Sequence, residues 1–464
     1  VSTFRFSPRP HRADQIHWRE WGPAAFEEAA RQDRPIALFL TAFWCGVCQR
    51  LDETTLSADD VRLLLNAYFV PIRLEESQRP DVDLRYTRDG WPTIAFLSPR
   101  GEPILSVNAL EPEPFISLLV KLVDAHDQHA LQPAPSPDPP PASADPQRPS
   151  RATVDEIVRL LSDLADPING GFRDAGPHKY FHAEALEFLL HLGLTDHVRL
   201  TLDTLIQRAI YDQSDGGFFR YSSRPDWNEP HPEKLLIDQA DLLRLYAEAG
   251  YATTAERLID YLEGTLGKTH PPFFAGCQDF LPEPIIDPYI YCDANAHAAS
   301  AYLAAWRALG RADCRERAVR ILDGLWQTLR PETGGMYHYS DGTPHVPGLL
   351  VDSVAMGLAL LDGYETLGEP RFLQRANLLG REIIQAHLDP SGGFFDISQP
   401  GPGALQRPML VLTQNAAAAK LFVRLGLREA AEWALLSYGG SAGVYGAYAA
   451  GFGHALDLFL SSGQ

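Results

Sequence analysis

The sequence predicts two domains of different class: an α/β domain over residues 1–130, then an all-α domain over 153–464 built as an (α/α)6 toroid. Three observations carry this. Residues 132–149 read QPAPSPDPPPASADPQRP, and no helix or sheet interior tolerates proline at that density, so residues 131–152 form a semi-rigid extended linker. Before it, short apolar runs alternate with amphipathic segments. After it, long amphipathic segments alternate with one recurring kind of loop.

The N-terminal elements follow in order. FEEAARQDR has helical character and stops at Pro35. PIALFLTAF is a continuous apolar run, as expected of a strand covered on both faces. SADDVRLLLNAY carries apolar residues at helical spacing behind Ser57, a good N-cap. FVPIRLEE, TIAFLSPRG and PILSVNA read as three further strands, and EPFISLLVKLVDAHD as a closing helix.

In this frame the stretch Trp44-Cys45-Gly46-Val47-Cys48 follows a strand and precedes a helix. Cys45 then sits at a helix N-terminus, where unpaired N–H groups and the helix dipole favour the nucleophilic thiolate. Cys48, one turn on, is placed to resolve a mixed disulfide. Pro92, in GWPTIAF, directly precedes a strand, the place where thioredoxin-like folds bring a cis-proline against the dithiol. The order of strand, CxxC, helix, strand and Pro-strand is far more specific than a bare CxxC. Two other readings stay open. A zinc site needs two more ligands, and this domain has no second CxxC. A structural pair, with Trp44 and Val47 serving packing, needs nothing further.

The C-terminal segments FHAEALEFLLHLG, KLLIDQADLLRLYAEAG, ANAHAASAYLAAWRALG, VDSVAMGLALLDGYETLG and NAAAAKLFVRLG carry apolar residues three and four apart and end in glycine. Between them recur NGGFRD, DGGFFRY, PPFFAG, TGGMYHY, SGGFFD and SAGVYGAY, about 45 to 60 residues apart, room for two helices per unit. Six such units make a ring of six inner helices inside six outer ones. Polar residues cluster where helices begin after these loops: His178 and His182; His231, Glu233, Lys234, Asp238 and Gln239; Asp293, Asn295 and His297; His345 and Asp352; Gln414 and Asn415. Their recurrence suggests one cavity. Glu233, Asp238, Asp293 and Asp352 are eligible for glycoside hydrolysis, which needs two carboxylates across a bond. His231, His297 and His345 are eligible for sugar isomerisation or epimerisation. The competing reading makes these groups helix caps and buried ties, with the Gly-Gly-aromatic loops as turns and plugs.

A formal charge of −20 argues against nucleic acid or anionic membrane as a partner. No apolar run approaches the roughly 18–20 residues of a membrane span, and no apolar segment follows the basic residues of the first stretch. Five cysteines do not make a disulfide framework, and Cys277, Cys292 and Cys314 have no close-spaced partner, so the cytoplasm is the expected compartment.

The stretches DQIHWREWGPAAFEEAARQDRPI, LEESQRPDVDLRYT and DGWPTIAFLSPRG around the CxxC resemble the thioredoxin-like domain of the spermatogenesis-associated protein 20 family. GGFFRYSSRPDWNEPHPEKLLIDQADLL and GGFFDISQPGPGALQRPMLVLTQNAAAA resemble that family's Gly-Gly-Phe blocks. The resemblance implies a thioredoxin-like domain followed by a six-hairpin toroid of the glycosidase type. It departs at Gly46, Val47 and Gln49, where the family has histidines within and after the CxxC. Phe39 stands where thioredoxin carries a buried Asp, and Val47 where it carries Pro, so the motif does not set a direction of electron flow. The expected function is a thiol-disulfide oxidoreductase domain fused to a carbohydrate-binding or carbohydrate-processing toroid. The alternatives are a sugar-active enzyme whose first domain is structural, and a non-catalytic interaction protein. The expected partners are a thiol- or disulfide-bearing protein and a sugar; no cofactor or metal is expected.

Overall fold

The computed structural model describes residues 4–133, 150–173, 176, 178–279, 284–436 and 442–462. It divides into two compact units, one of 1–140 with Gln399–Pro408, the other of Pro141–Ser398 with Met409–Gln464. Most of the Pro-rich stretch lies outside the described residues.

The first unit is α/β. Its elements are α1 (Pro23–Gln32), β1 (Ile36–Thr41), α2 (Gly46–Glu53), α3 (Asp59–Tyr68), β2 (Val70–Glu75), α4 (Pro80–Tyr86), β3 (Thr93–Leu97), β4 (Pro103–Val107) and α5 (Pro112–Asp127). The sheet order is β2-β1-β3-β4, with β1 and β2 parallel and the other pairings antiparallel. Every residue of β1, β2 and β3 is buried, which explains their continuous apolar character. Phe39, Phe96 and Phe115 pack edge to face or tilted in the core beneath the sheet. The expected cap at Ser57 is not formed. Ser57 ends a short 3-10 turn, its hydroxyl donates to the Asp52 carbonyl at 2.7 Å, and Ala58 takes the N-cap of α3. One ion pair is fully buried: Arg73 of β2 donates to both oxygens of Asp52 on α2, at 2.7 and 3.0 Å. Gln399–Pro408 packs within this unit. There the Tyr86 hydroxyl accepts the Ala404 N–H at 2.8 Å, and Arg85 donates to the Arg407 carbonyl at 3.0 Å.

The second unit is a closed double ring. The inner helices are α7 (Ala183–His191), α9 (Leu236–Glu248), α11 (Cys292–Leu309), α13 (Leu350–Leu367), α15 (Leu412–Arg424) and α17 (Ala450–Ser461). The outer helices are α6 (Arg151–Leu164), α8 (Thr195–Leu205), α10 (Ala252–Gly264), α12 (Ala312–Thr328), α14 (Pro370–His387) and α16 (Arg428–Leu436). Each inner helix packs on the next, and α17 packs back on α7. The outer helices α8, α10, α12, α14 and α16 each cover the inner helix that precedes them, whereas α17 is covered by α6, the first helix of the unit. The two ends of the toroid chain thereby complete one another. Asp457 of α17 receives His191 at 2.9 Å and also pairs with Arg151 of α6.

The aromatic loops lead into the inner helices, and a repeated contact holds three of them. Phe218 N–H donates to Gln239 Oε1 at 2.8 Å, while Gln239 Nε2 donates to the Phe218 carbonyl at 2.7 Å. Asn295 holds Phe274 in the same way at 2.8 and 3.0 Å, and Asn415 holds Phe394 at 2.8 and 2.9 Å. In each case the amide lies 21 residues after its aromatic. Each is also the fourth residue of its inner helix and fully buried. In two other loops the amide is replaced: Gly171 N–H goes to Thr201 Oγ1 at 2.8 Å, and Gly335 N–H to Glu382 at 3.0 Å. Glycine is required at position 216, where φ is +87° and an added Cβ would lie 2.8 Å from the Arg257 carbonyl.

A buried amide gripping both polar groups of one residue leaves each of them unsatisfied when removed, at about 1–3 kcal/mol per group. Asn295→Ala is therefore expected to lower toroid stability by about 2–4 kcal/mol, read as a shifted denaturant midpoint. An unchanged midpoint would show that the loop holds itself.

Candidate functional site

Cys45 and Cys48 are joined as a disulfide, with their Cα atoms 5.2 Å apart. Cys45 is the N-cap of α2, and its Sγ accepts the Cys48 N–H at 3.1 Å. The helix terminus thus directs a backbone donor at the sulfur, an arrangement that stabilises a thiolate once the bond is reduced. The Trp91–Pro92 peptide is cis, and the Trp91 carbonyl lies 3.5 Å from Cys45 Sγ. That loop is fastened from two sides: Trp91 Nε1 donates to Asp83 at 2.8 Å, and Asn108 Nδ2 donates to the Pro92 carbonyl at 3.1 Å. Trp44 packs edge-on to Trp91 at 5.2 Å, while Val47 between the cysteines is 51% exposed. Phe39 is buried in β1. A carboxylate nonetheless reaches this region from the neighbouring strand, since Glu75 of β2 accepts the Phe43 N–H.

In the toroid, strands and loops deliver the first turns of the inner helices to one end of the ring. A cavity of about 200 Å³ opens there, lined by His182, Glu184, Arg220, Asp238, Asp241 and Tyr448, among others. Asp238 is the third residue of α9, one before the clamping Gln239, and so turns into the cavity where Gln239 turns into the wall. Among the described residues no donor meets Asp238 Oδ2. Burial, against the opposing pull of Arg220 and with Asp241 and Glu233 adding to it, pushes its carboxyl up to about 7. Glu184 is likewise raised by burial, opposed by Lys420 at 3.7 Å. His297 Nδ1 lies 2.7 Å from Asp241 Oδ1. Burial disfavours its charge, but the Asp241 contact outweighs this and lifts the imidazole to about 9.

The other anticipated residues take several places. His182, in left-handed backbone at the start of α7, faces Tyr448 edge-on at 5.0 Å and lines the cavity. His178 lies against the Tyr221 ring at 4.8 Å, and His231 stacks on the same Tyr221 at 4.9 Å while pairing with Glu233. Glu233 is fully buried with Arg220 3.6 Å away. Lys234 is buried and bridges Asp212 at 2.9 Å and Asp215 at 2.7 Å, fastening the DGGFF loop. Gln239, Asn295 and Asn415 are the three clamps. His345 sits on a β-hairpin, bonded to Asp341 at 2.9 Å and stacked on Tyr339 at 4.8 Å. Asp293 is half-buried in the first turn of α11, and Asp352 is fully buried at 3.0 Å from His338. Gln414 Oε1 is buried and meets no donor among the described residues. The site thus gathers Asp238, His297 and His182 from the anticipated set and adds Glu184, Asp241 and Arg220. Asp241 carries a readable signal, standing three residues after Asp238 on one helix. Glu184 in a first turn reads as an ordinary dipole partner.

A dithiol at a helix start beside a cis-proline loop, in this sheet order, defines the first unit as thioredoxin-like, and the closed ring of six inner and six outer helices defines the second as an (α/α)6 toroid. Residues 7–128 match the family model Thioredox_DsbH, described as a protein of unknown function, DUF255. The chain is similar to spermatogenesis-associated protein 20 of Mus musculus, 26% identical over 322 residues, which is 60% of this chain and 40% of that protein. The human protein of that name is 26% identical over 308 residues, 57% of this chain and 39% of that protein. The chain therefore spans about two fifths of the length of these relatives. Among solved structures, cellobiose 2-epimerase from Bacillus thermoamylovorans aligns with a TM-score of 0.51 at 12% identity, covering 61% of this chain and 86% of that one. A sugar epimerase from a ruminal bacterium aligns at 0.50 and 15% identity, covering 61% and 85%. These two likenesses show the toroid fold. Among the described residues no helix is long and apolar enough to cross a membrane.

His297 is expected to titrate near 9 by imidazole NMR. Because this lies above the unfolded value of about 6.5, its pairing with Asp241 stabilises the fold fully below about pH 6.5 and is lost as pH rises through the folded value. Asp241→Asn removes the opposing charge and should bring His297 to the ordinary value or below. Titration unchanged in that variant would contradict the assignment.

Proposed function

We propose that the first unit exchanges thiols and disulfides through Cys45 and Cys48, with a thiol- or disulfide-bearing protein as partner. The observation that carries this is Cys45 Sγ at the N-cap of α2, receiving the Cys48 N–H at 3.1 Å. In the reductive direction the Cys45 thiolate attacks a partner disulfide, forming a mixed disulfide and releasing one partner thiolate. The Cys48 thiolate then attacks Cys45 Sγ, releasing the second partner thiolate. The partner gains two electrons and the dithiol becomes the Cys45–Cys48 disulfide; the reverse sequence oxidises the partner. Pro92 belongs to the docking edge beside Cys45. We read the chain as cytoplasmic, consistent with Cys277, Cys292 and Cys314 being buried and outside any disulfide. Substituting Cys48→Ser should accumulate mixed disulfides through Cys45, visible as dithiothreitol-sensitive adducts by mass. No adduct from that variant, while the protein remains folded, would overturn this reading.

A second reading concerns the toroid and rests on Asp238 Oδ2, unpartnered in the cavity and held near neutral titration. A carboxyl that carries its proton near pH 7 is poised for general acid work. With the Asp241–His297 pair and Glu184 nearby, we infer a sugar-binding funnel performing proton transfer of the isomerase or epimerase kind. Hydrolysis, using Asp238 as acid and a second carboxylate, is the alternative within the same class. Melting should be measured with aldoses, ketoses, N-acetylhexosamines and disaccharides. A ligand at a hundred times its Kd stabilises by about 2.7 kcal/mol, so a true binder raises the melting temperature measurably. An unchanged melting temperature across the panel would leave the funnel without a sugar.

A further inference from the structure

We propose that Asp293, His338 and Asp352 form a divalent-cation site in the toroid, built from residues that do not line the Asp238 cavity. Asp293 is the second residue of α11 and Asp352 the third of α13, neighbouring inner helices. His338 lies on the strand Tyr337–Ser340, which pairs with the strand leading into α11. One ligand atom from each of the three lies within 4.8 Å of the other two. His338 Nδ1 is 3.0 Å from both carboxylate oxygens of Asp352. His338 and Asp352 are 3% and 0% exposed, and Asp293 is half-buried.

Charge is the second observation. Three buried carboxylates elsewhere in the protein meet a guanidinium or ammonium: Asp52 has Arg73 at 2.7 Å, Asp81 has Arg79 at 2.6 Å, and Asp166 has Lys179 at 2.7 Å. Among the described residues no Lys or Arg pairs with Asp293 or Asp352. Among the described residues Asp352 has the His338 ring and the Asp293 N–H, and Asp293 accepts the Ala294 N–H. Even with a protonated imidazole the trio carries net negative charge in a desolvated place. A divalent cation would neutralise the trio and accept a neutral His338 Nδ1 as a ligand.

The donor set selects the metal class. One imidazole nitrogen with carboxylate oxygens suits Mn²⁺, Co²⁺ or Zn²⁺ better than the all-oxygen ions Ca²⁺ and Mg²⁺. Ligand bonds near about 2.0–2.2 Å call for a slight drawing-in of the trio. Three protein ligands leave coordination positions for water or a ligand's hydroxyl groups.

The test is titration of the full chain with Mn²⁺, followed by loss of the free-ion EPR signal, with Cys45 and Cys48 kept oxidised so that thiolates do not compete. One saturable ion per chain is expected, with Co²⁺ competing for it. His338→Ala and Asp352→Asn should each weaken binding by at least about tenfold, the loss seen even for groups that only orient metal ligands. Asp293→Asn, at a half-buried position that keeps its shape, decides the matter should the buried variants fail to fold, and the same loss is expected. No saturable Mn²⁺ binding, or binding of equal affinity in Asp293→Asn, overturns the site.

Discussion

Folding an aromatic loop into the interior of a ring strips water from its backbone, and the buried N–H and C=O then need partners. In this toroid a single side-chain amide supplies both at once, three times over. The donor and acceptor of Gln239, Asn295 and Asn415 match the acceptor and donor of Phe218, Phe274 and Phe394. A carboxamide offers a donor and an acceptor side by side without any need of a proton. The clamp ties the end of one hairpin to the start of the next inner helix, so the spacing of loop and helix is set by side-chain chemistry. Where the amide is absent, Thr201 and Glu382 reach in from outer helices to do half of the task.

This constraint shapes the chemistry at the helix starts. With the fourth residue committed to the wall, the third and the sixth turn toward the ring axis, and α9 places Asp238 and Asp241 there. The loop needs nothing from these side chains, so they are free to hold or move protons. Among the described residues Asp238 Oδ2 is left without a donor, while Asp241 is committed to His297. The first unit positions its cysteine sulfur by different means. The end of α2 directs its own backbone at Cys45, and a loop fastened by Asp83 and Asn108 is held against the sulfur.

Periodicity and spacing reveal the two-domain order, the sheet strands, the CxxC at a helix start and the ring of hairpins, because each depends on local pattern or on a strict repeat. The polar clusters at the helix starts are equally visible, but their roles are not. Asp238 and Gln239 are adjacent in sequence and face opposite ways, and only the packing of α9 tells cavity from wall. Ser57 has the chemistry of a cap, yet a 3-10 turn moves the start of α3 past it. Lys234 reads as a pocket residue until Asp212 and Asp215 enclose it. His338 escapes notice because its partners come from two separate helices. Gln399–Pro408 reads as toroid, and its packing within the first unit rests on tertiary contacts with Arg85 and Tyr86.

The central claim is that the first unit carries a working dithiol rather than a structural pair. The most direct test equilibrates the full chain in a graded series of glutathione redox buffers, traps free thiols, and reads the Cys45–Cys48 pair by intact mass. The account predicts a reversible two-electron transition within about −200 to −300 mV, the range spanned by cellular thiol-disulfide couples. A pair that stays wholly reduced or wholly oxidised across that range would contradict it and make WCGVC a packing element.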